Sequence, residues 1–211
     1  MFKLFLLSTI SKPSTPFSLF NKVEQGVELA SIISQLLDRL LDYDFVEIDN
    51  ETRKTVFLAF AKHIEGFFNI EGGLTLSDKI EILTKLLQFS LKLNIKDIRN
   101  IKNLFKFAEY ICDLSLGDQP ISSQEASTSL ASFIKCPFYT FVENDKKDKN
   151  TLELFYQIED LSSLIKRLLP HDRYEISTEI CKIIVTNNTI IHNIQEFQFV
   201  LSLTSYIVRE G

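Results

Sequence analysis

The chain has 211 residues, of which 45% are apolar and 24% charged, a composition typical of a globular protein with a packed core rather than a disordered one. Its formal net charge of -5 provides no basic field for phosphates, which argues against nucleic acid as a partner and against direct attraction to acidic membranes. Only 6 Gly and 5 Pro interrupt the chain, so many helices joined by short turns are expected.

The N-terminal stretch MFKLFLLSTISKPSTP contains a short apolar run, Leu4 to Leu7. The run is shorter than the core of a signal peptide and far shorter than a membrane span, and no cleavage site follows it cleanly. We interpret it as the end of an amphipathic helix, with a signal peptide as the alternative. The apolar residues that follow, Phe17, Leu19 and Phe20, are expected to cover an open end of the fold.

Apolar residues then recur at spacings of three and four along most of the chain, which predicts amphipathic helices packed on one side. Together with the N-terminal run they give about nine helices. The segments predicted to be helical are Val27–Tyr43, Thr55–Ile70, Ser77–Leu93, Ile95–Leu114, Ser122–Lys135, Thr151–Leu169, Asp172–Val185 and a last helix after Asn193.

Polar side chains that can cap free backbone N–H groups precede several of these helices. Gly72-Gly73 is expected to end the second helix, and Pro170-His171 to separate the two helices on either side of it. The predicted N-terminal caps are Asp49 with Asn50, Thr75 with Asp78, Ser122 with Glu125, and Asn193 with Glu196.

One segment allows two interpretations. KIIVTNNTIIH, Lys182 to His192, has β-branched runs on both sides of Asn187-Asn188 and could form a hairpin. We favour a helix that ends near Thr186, because charged and apolar residues alternate upstream at helical spacing and an isolated hairpin is marginally stable.

The helices follow one another by short loops, so they predict antiparallel pairs that repeat about every 40 residues, as in HEAT-like repeats. The expected fold is all-α, an α-solenoid segment of four to five helix pairs forming a single domain over residues 1–211. The charge-dense stretch Phe141–Asn150 is the one expected interruption, a surface loop.

Three cysteines, Cys112, Cys136 and Cys181, are widely spaced and form no C-x-x-C pair, which predicts reduced thiols in a cytosolic protein. Cys136 lies in FIKCPFYTF, and Cys-Pro-Phe resembles the site of the reactive thiol in thioredoxin-fold transferases. That chemistry needs a strand leading into the thiol, whereas the upstream sequence is helical. We interpret Cys136 as a small apolar residue at a helix junction set by Pro137, with a thiol enzyme as the remote alternative.

No other pattern assembles a catalytic, cofactor or metal site. The three histidines, His63, His171 and His192, lack a second ligand at the spacing that zinc sites use. Neither a phosphate-binding Gly-rich loop nor a G-x-S-x-G elbow is present in the sequence. A non-enzymatic protein without cofactors, acting as a scaffold for other proteins, is therefore predicted.

The order of several motifs resembles the middle of the vacuolar protein sorting-associated protein 35 family, the large α-solenoid subunit of the retromer complex. The resemblance includes the Leu36–Leu40 run Leu-Leu-Asp-Arg-Leu, the stretch LTLSDKIEILTKLLQFSLKL, and Lys135-x-Pro137 in SLASFIKCP, and it covers about Phe2 to Glu210. Asp172, Cys181 and Asn188-Thr189 fall in register with its last part. Independently of the resemblance, Asp38 and Arg39 either tie their helix to a neighbour or are solvated charges.

The resemblance implies a scaffold that is cytoplasmic and peripheral to endosomal membranes, and that supports endosome-to-Golgi or endosome-to-plasma-membrane retrieval of cargo. Its implied partners are other retromer subunits, sorting nexins or cargo, with membranes reached only through them. The family's Pro-Arg-Leu-Tyr-Leu segment and C-terminal repeats do not occur in the sequence, so we expect a fragment that binds neither the arrestin-like nor the metallophosphatase-like subunit in the family's manner. Exposed solenoid ends are expected to favour self-association. A generic HEAT-like adaptor is the alternative.

Overall fold

The computed structural model describes residues 26–42, 48–68, 74–93, 98–117, 119–142, 160–186 and 194–211. Every regular element in these ranges is an α-helix, and no strand occurs within them, so the predicted all-α class is confirmed. The helices are α1 (Gly26–Asp42), α2 (Asn50–Phe68), α3 (Leu76–Lys92), α4 (Ile98–Leu116), α5 (Gln124–Val142), α6 (Asp160–Arg167), α7 (Pro170–Thr186) and α8 (Ile194–Glu210).

Two of the predicted caps start their helices as expected. Thr75 accepts a hydrogen bond from the backbone N–H of Asp78 at 3.1 Å, and Asp78 accepts one from the backbone N–H of Thr75 at 3.0 Å, a complete capping box for α3. Asp49 accepts from the backbone N–H of Thr52 at 2.8 Å and so caps α2.

The cap of α5 differs from the prediction by one residue. Ser123, not Ser122, accepts from the backbone N–H of Ala126, at 3.4 Å, and α5 begins at Gln124. Two adjacent serines offer the same acceptor, so the sequence alone does not distinguish them.

The proline at the start of α7 also acts differently from the prediction. Pro170 is the first residue of α7 rather than part of a separator, because its fixed φ and missing N–H suit the first helical turn. Leu168 and Leu169 form the short break after α6. α7 continues to Thr186, which confirms the predicted helix end and excludes the upstream strand of the alternative hairpin.

By its internal contacts the chain divides into two compact units, Met1–Lys96 and Asp97–Gly211. In the first unit, α1 and α2 both pack against α3. Phe89 of α3 is fully buried, and the rings of Phe57 and Phe60 of α2 lie 6.5 and 6.3 Å from it. Leu37 of α1 is also fully buried. The apolar stripes predicted from the sequence therefore form this core.

In the second unit, helices pack both against their neighbours in the chain and against the helices beyond them. α4 contacts α6, and α5 contacts α7, while α6, α7 and α8 contact one another in sequence. The fully buried rings of Phe105 in α4 and Phe133 in α5 lie 4.7 Å apart. This local arrangement is that of stacked helix pairs.

Several predictions fall on residues outside the described ranges. They are the N-terminal stretch with Phe17, Leu19 and Phe20, the helix end at Gly72-Gly73, the loop residues 143–150, the start of the helix predicted from Thr151, the Asn187-Asn188 turn, and the cap at Asn193. A single domain over residues 1–211 also stays a prediction.

Candidate functional site

Cys136 lies inside a helix and is buried. The predicted junction at Pro137 is wrong, since α5 runs from Gln124 to Val142 with Pro137 in its interior. An internal proline removes one helix hydrogen bond and costs about 3 kcal/mol, and here the burial of Phe133, Ile134 and Cys136 on the same helix offsets that cost.

The environment of Cys136 opposes thiol chemistry. Burial raises the pKa of the Cys136 thiol to about 12, whereas a reactive cysteine needs a depressed pKa and access to solvent. Cys112 is likewise buried, and burial raises the pKa of its thiol to about 11. Burial also raises the pKa of the half-buried Cys181. All three are free thiols, as predicted.

The structure brings no set of metal ligands together in the part of the chain that it describes, where no group of three His, Cys, Asp or Glu side chains could hold a metal ion. His171 is exposed in the first turn of α7. The side chains of His63 and His192 lie outside the described part.

Asp38 links two helices of the first unit. Lys85 of α3 donates hydrogen bonds from Nζ to Oδ2 of Asp38 at 2.8 Å and to Oγ of Ser34 at 2.5 Å, both on α1. Glu81 of α3 lies 3.6 Å from the same ammonium. Of the two interpretations of Asp38 and Arg39, the first holds for Asp38, while Arg39 is exposed.

Lys135 makes the corresponding link in the second unit. Its Nζ donates to Oε1 of Glu175 at 2.5 Å and lies 3.5 Å from Oε1 of Glu179, so one lysine of α5 faces two carboxylates of α7. The hydrogen bond from Lys135 lowers the pKa of Glu175, and the positive charge of Lys135 adds to that effect against the opposing effect of burial. The Lys-x-Pro motif thus carries a helix-to-helix ion pair.

A buried polar cluster also joins α5 to α7. Asp172 accepts a hydrogen bond from Oγ of Ser127 at 2.5 Å and one from Nε2 of Gln124 at 3.2 Å. Ser127 in turn accepts from the backbone N–H of Leu169 at 3.0 Å. Sequence reasoning missed this cluster, because Ser127 and Asp172 are far apart in the chain and neither stands in a capping pattern toward the other.

Arg167, at the end of α6, holds the loop between α4 and α5 in place by hydrogen bonds to its backbone. Its guanidinium donates to the carbonyl oxygens of Gly117 at 2.8 Å and Gln119 at 3.4 Å and pairs with Asp113. Its own carbonyl accepts from the backbone N–H of Ile121 at 3.0 Å. Gly117 takes φ +58°, a left-handed conformation that glycine adopts without strain.

Arg173 makes a similar link from α7 to α8. It donates to Oε1 of Glu210 at 2.9 Å and to the carbonyl of Leu168 at 2.6 Å, and its guanidinium lies 5.4 Å from the centre of the Tyr206 ring. In each of these links a charged side chain fixes one helix against another. These links stabilise the packing of the helices.

Among the described residues, large apolar side chains are exposed on several helices. The second helix, α2, exposes Leu58, and α4 exposes Tyr110 and Leu114, which lie one turn apart. On α8, exposed apolar residues recur along one face, from Ile194 to Val208. Such surfaces suit protein partners better than small ligands.

No helix in the described part of the chain is long and apolar enough to cross a membrane.

No curated protein and no solved structure matches the sequence. A family model does match, over residues 5–211, and it is that of vacuolar protein sorting-associated protein 35. Nearly the whole sequence falls within the match, and the observed helical packing agrees with the solenoid fold of that family. The chain therefore belongs to the vacuolar protein sorting-associated protein 35 family, a family of helical scaffolds in protein transport.

Proposed function

We propose that this chain is a non-enzymatic scaffold of retromer type, which supports retrieval of membrane cargo from endosomes to the Golgi or the plasma membrane. The observation that carries the proposal is the family match over residues 5–211. The match favours a transport scaffold over a generic HEAT-like adaptor, because helical pattern alone would not select one family over nearly the full chain.

The chemistry of the described side chains supports a non-enzymatic role. The thiol-enzyme alternative requires a Cys136 that ionises near neutral pH, and burial raises the pKa of this thiol to about 12. The ionic groups, in contrast, are used to hold helices together, as with Lys85 and Asp38 or Lys135 and Glu175. No cofactor enters the proposal.

The partners in this proposal are other retromer subunits, sorting nexins or cargo proteins, and nucleic acid is not among them. Association with endosomal membranes is peripheral and passes through these partners, with the protein itself in the cytoplasm. A single solenoid segment over residues 1–211 is part of the same proposal.

The test is to tag the endogenous protein, purify it with its partners, and image it beside an endosomal marker and a recycling receptor. We expect retromer subunits or sorting nexins to copurify, the tag to overlap the marker, and depletion to divert the receptor to lysosomes. Absence of these partners together with unchanged receptor recycling would refute the transport role.

A matched pair of surface variants refines the test. Leu58→Asp and Glu125→Ala both change exposed helical positions, but only the first removes an apolar contact. Loss of partners with Leu58→Asp alone, at an unchanged melting temperature, would place a partner on α2. Tyr110→Asp tests α4 in the same way.

A further inference from the structure

One face of α4 combines exposed apolar side chains with lysines. Tyr110 and Leu114 are exposed to 49% and 64%, and the ring of the half-buried Phe107 stacks on that of Tyr110, with ring centres 6.2 Å apart. Steps of three and four residues place these three side chains on one side of the helix. Lys102 and Lys106 lie along the same side, at steps of four residues before Tyr110. We call these five residues the α4 face.

The α4 face is held in place by contacts on the opposite side of the helix. Ile101, Phe105, Ala108 and Cys112 are buried on that side. The ring of Phe105 also lies 4.7 Å from that of Phe133 in α5. Because these contacts do not use the α4 face, a partner that binds there does not have to order the helix first, which favours binding.

The two lysines of the α4 face differ from the lysines that link helices. Lys85 and Lys135 each meet carboxylates of another helix. Within the residues that the structure describes, neither Lys102 nor Lys106 forms an ion pair. Two like charges one turn apart on a helix also repel each other, so a carboxylate placed between them would relieve an unfavourable interaction.

The acidic residues of α4 leave this positive charge in place. Asp113 pairs with Arg167 of α6, and the half-buried Glu109 forms no ion pair within the described ranges. The first turn of α4 contains no acidic residue, so the positive end of the helix dipole adds to the charge of the lysines. The α4 face is therefore locally positive on a chain whose net charge is -5.

This combination of groups fits an acidic protein segment that carries an apolar side chain. Its carboxylates would pair with the lysines, while an aliphatic or aromatic side chain would pack on Tyr110 and Leu114. An acidic membrane fits less well, because it would meet the whole negative chain, whereas a short segment meets only charges within a Debye length of about 8 Å. The face is about 18 Å long, which matches about five extended residues or about three helical turns.

From these observations we infer that α4 is a docking surface for a short acidic segment of a partner protein, with carboxylates on Lys102 and Lys106 and an apolar side chain against Tyr110 and Leu114. A contact of this length buries less than the roughly 1,200 Å² of a stable complex, so binding is weak, with a dissociation constant on the order of 10 µM or higher. The inference does not depend on the transport role, since it concerns the purified chain alone.

A random peptide library displayed on phage and selected against the purified chain tests the chemistry of this partner. We expect the selected peptides to be enriched in Asp and Glu beside at least one aromatic or aliphatic residue. The strongest of them is then synthesised with a fluorescent label, and fluorescence anisotropy gives its dissociation constant. Selection of neutral or basic peptides, or of none, would overturn the inference.

Matched variants locate the binding site of this peptide. Lys102→Glu and Lys106→Glu should each weaken binding at least about twofold, and replacing the peptide's acidic residues by lysine should restore binding to the double variant. Lys182→Glu makes the same change of charge at an exposed position of α7 and should leave binding unchanged. Tyr110→Ala should weaken binding about fivefold, whereas Leu58→Ala, at a similarly exposed position of α2, should not.

Circular dichroism and melting curves verify that these variants fold, which is expected because the substituted side chains lie at the surface. Equal binding of the peptide to the wild type and to the double lysine variant, or to Tyr110→Ala, would overturn the inference. Two further results would assign the face to another occupant and overturn it as well. One is binding to phosphatidylserine vesicles that the double lysine variant loses, and the other is an average mass above 24.4 kDa in sedimentation equilibrium that Tyr110→Ala abolishes.

Discussion

Replacing Asp172 by alanine tests whether the buried cluster between α5 and α7 stabilises the second unit. Asp172 is 6% exposed and Ser127 fully buried, so the hydroxyl of Ser127 would lose its acceptor without gaining water in its place. The carboxylate also lies in the first turn of α7, where a negative charge interacts favourably with the free N–H groups of the helix.

The expected loss follows from these two contributions. A buried donor left without an acceptor costs about 1 to 3 kcal/mol, and an acidic residue in a first helical turn stabilises by about 0.3 to 1 kcal/mol. Asp172→Ala should therefore lower the free energy of unfolding by about 1 to 4 kcal/mol. Asp172→Asn keeps one acceptor oxygen toward Ser127 and should cost about 1 kcal/mol.

Urea denaturation, combined with hydrogen exchange of α5 and α7, measures the effect on the second unit by itself. Ser127→Ala should cost about 1 to 3 kcal/mol, because it leaves the backbone N–H of Leu169 without its acceptor. The double variant should cost less than the sum of the two, by about 1 kcal/mol, since both changes remove the same bond. Glu125→Ala, at an exposed position in the first turn of α5, is the control for the first-turn charge alone and should lower stability by about 0.3 to 1 kcal/mol. A loss below about 0.5 kcal/mol for Asp172→Ala, or additive losses in the double variant, would refute the reasoning.

Three further predictions follow from burial and from the pKa directions. Leu37→Ala, at a fully buried position, should lower the free energy of unfolding by about 2 to 5 kcal/mol in thermal or urea melts, and Ile32→Ala, at a 41% exposed position, by less than about 1 kcal/mol; equal losses would contradict the assigned core. A pKa raised from 9.0 to about 12 lowers the thiolate fraction of Cys136 about a thousandfold near neutral pH. Iodoacetamide should therefore label this thiol far more slowly than free cysteine, as measured by peptide mapping. Equal labelling rates would contradict the burial of Cys136. Because Lys135 lowers the pKa of Glu175 below 4.5, their ion pair stabilises the fold above about pH 4.5, and this stabilisation is lost as the pH falls through the pKa of Glu175 in the folded state. Lys135→Met should therefore make the melting temperature less sensitive to acid, by the equivalent of under about 1 kcal/mol. An equal reduction with Lys182→Met would argue against a specific pair.

Local signals in the sequence predicted the helices well, because periodicity and capping act within a few residues. Thr75 and Asp78 form the predicted capping box since both partners lie in one turn of chain. Pro137 shows where such reasoning fails. A local rule ends a helix at proline, but the packing of Phe133 against Phe105, in another helix, outweighs it.

The links between helices could be predicted only in part. The sequence suggested that Asp38 contacts a neighbouring helix. It did not identify Lys85 as the partner, because Lys85 lies on another helix. The Ser127–Asp172 pair gave no signal, since its two residues meet only after α5 and α7 pack together. Exposure along α8 could not be predicted either, because both of its faces are apolar in sequence and only contact with α7 decides which one is buried.

The position of Arg167 has a consequence for synthesis on the ribosome. The connection between α4 and α5 takes its final hydrogen bonds from a side chain 50 residues further along the chain than Gly117. At about 5 to 20 residues per second, the ribosome adds Arg167 roughly 3 to 10 s after Gly117. During that interval the carbonyls of Gly117 and Gln119 lack their guanidinium donor, so this connection matures only once α6 has emerged.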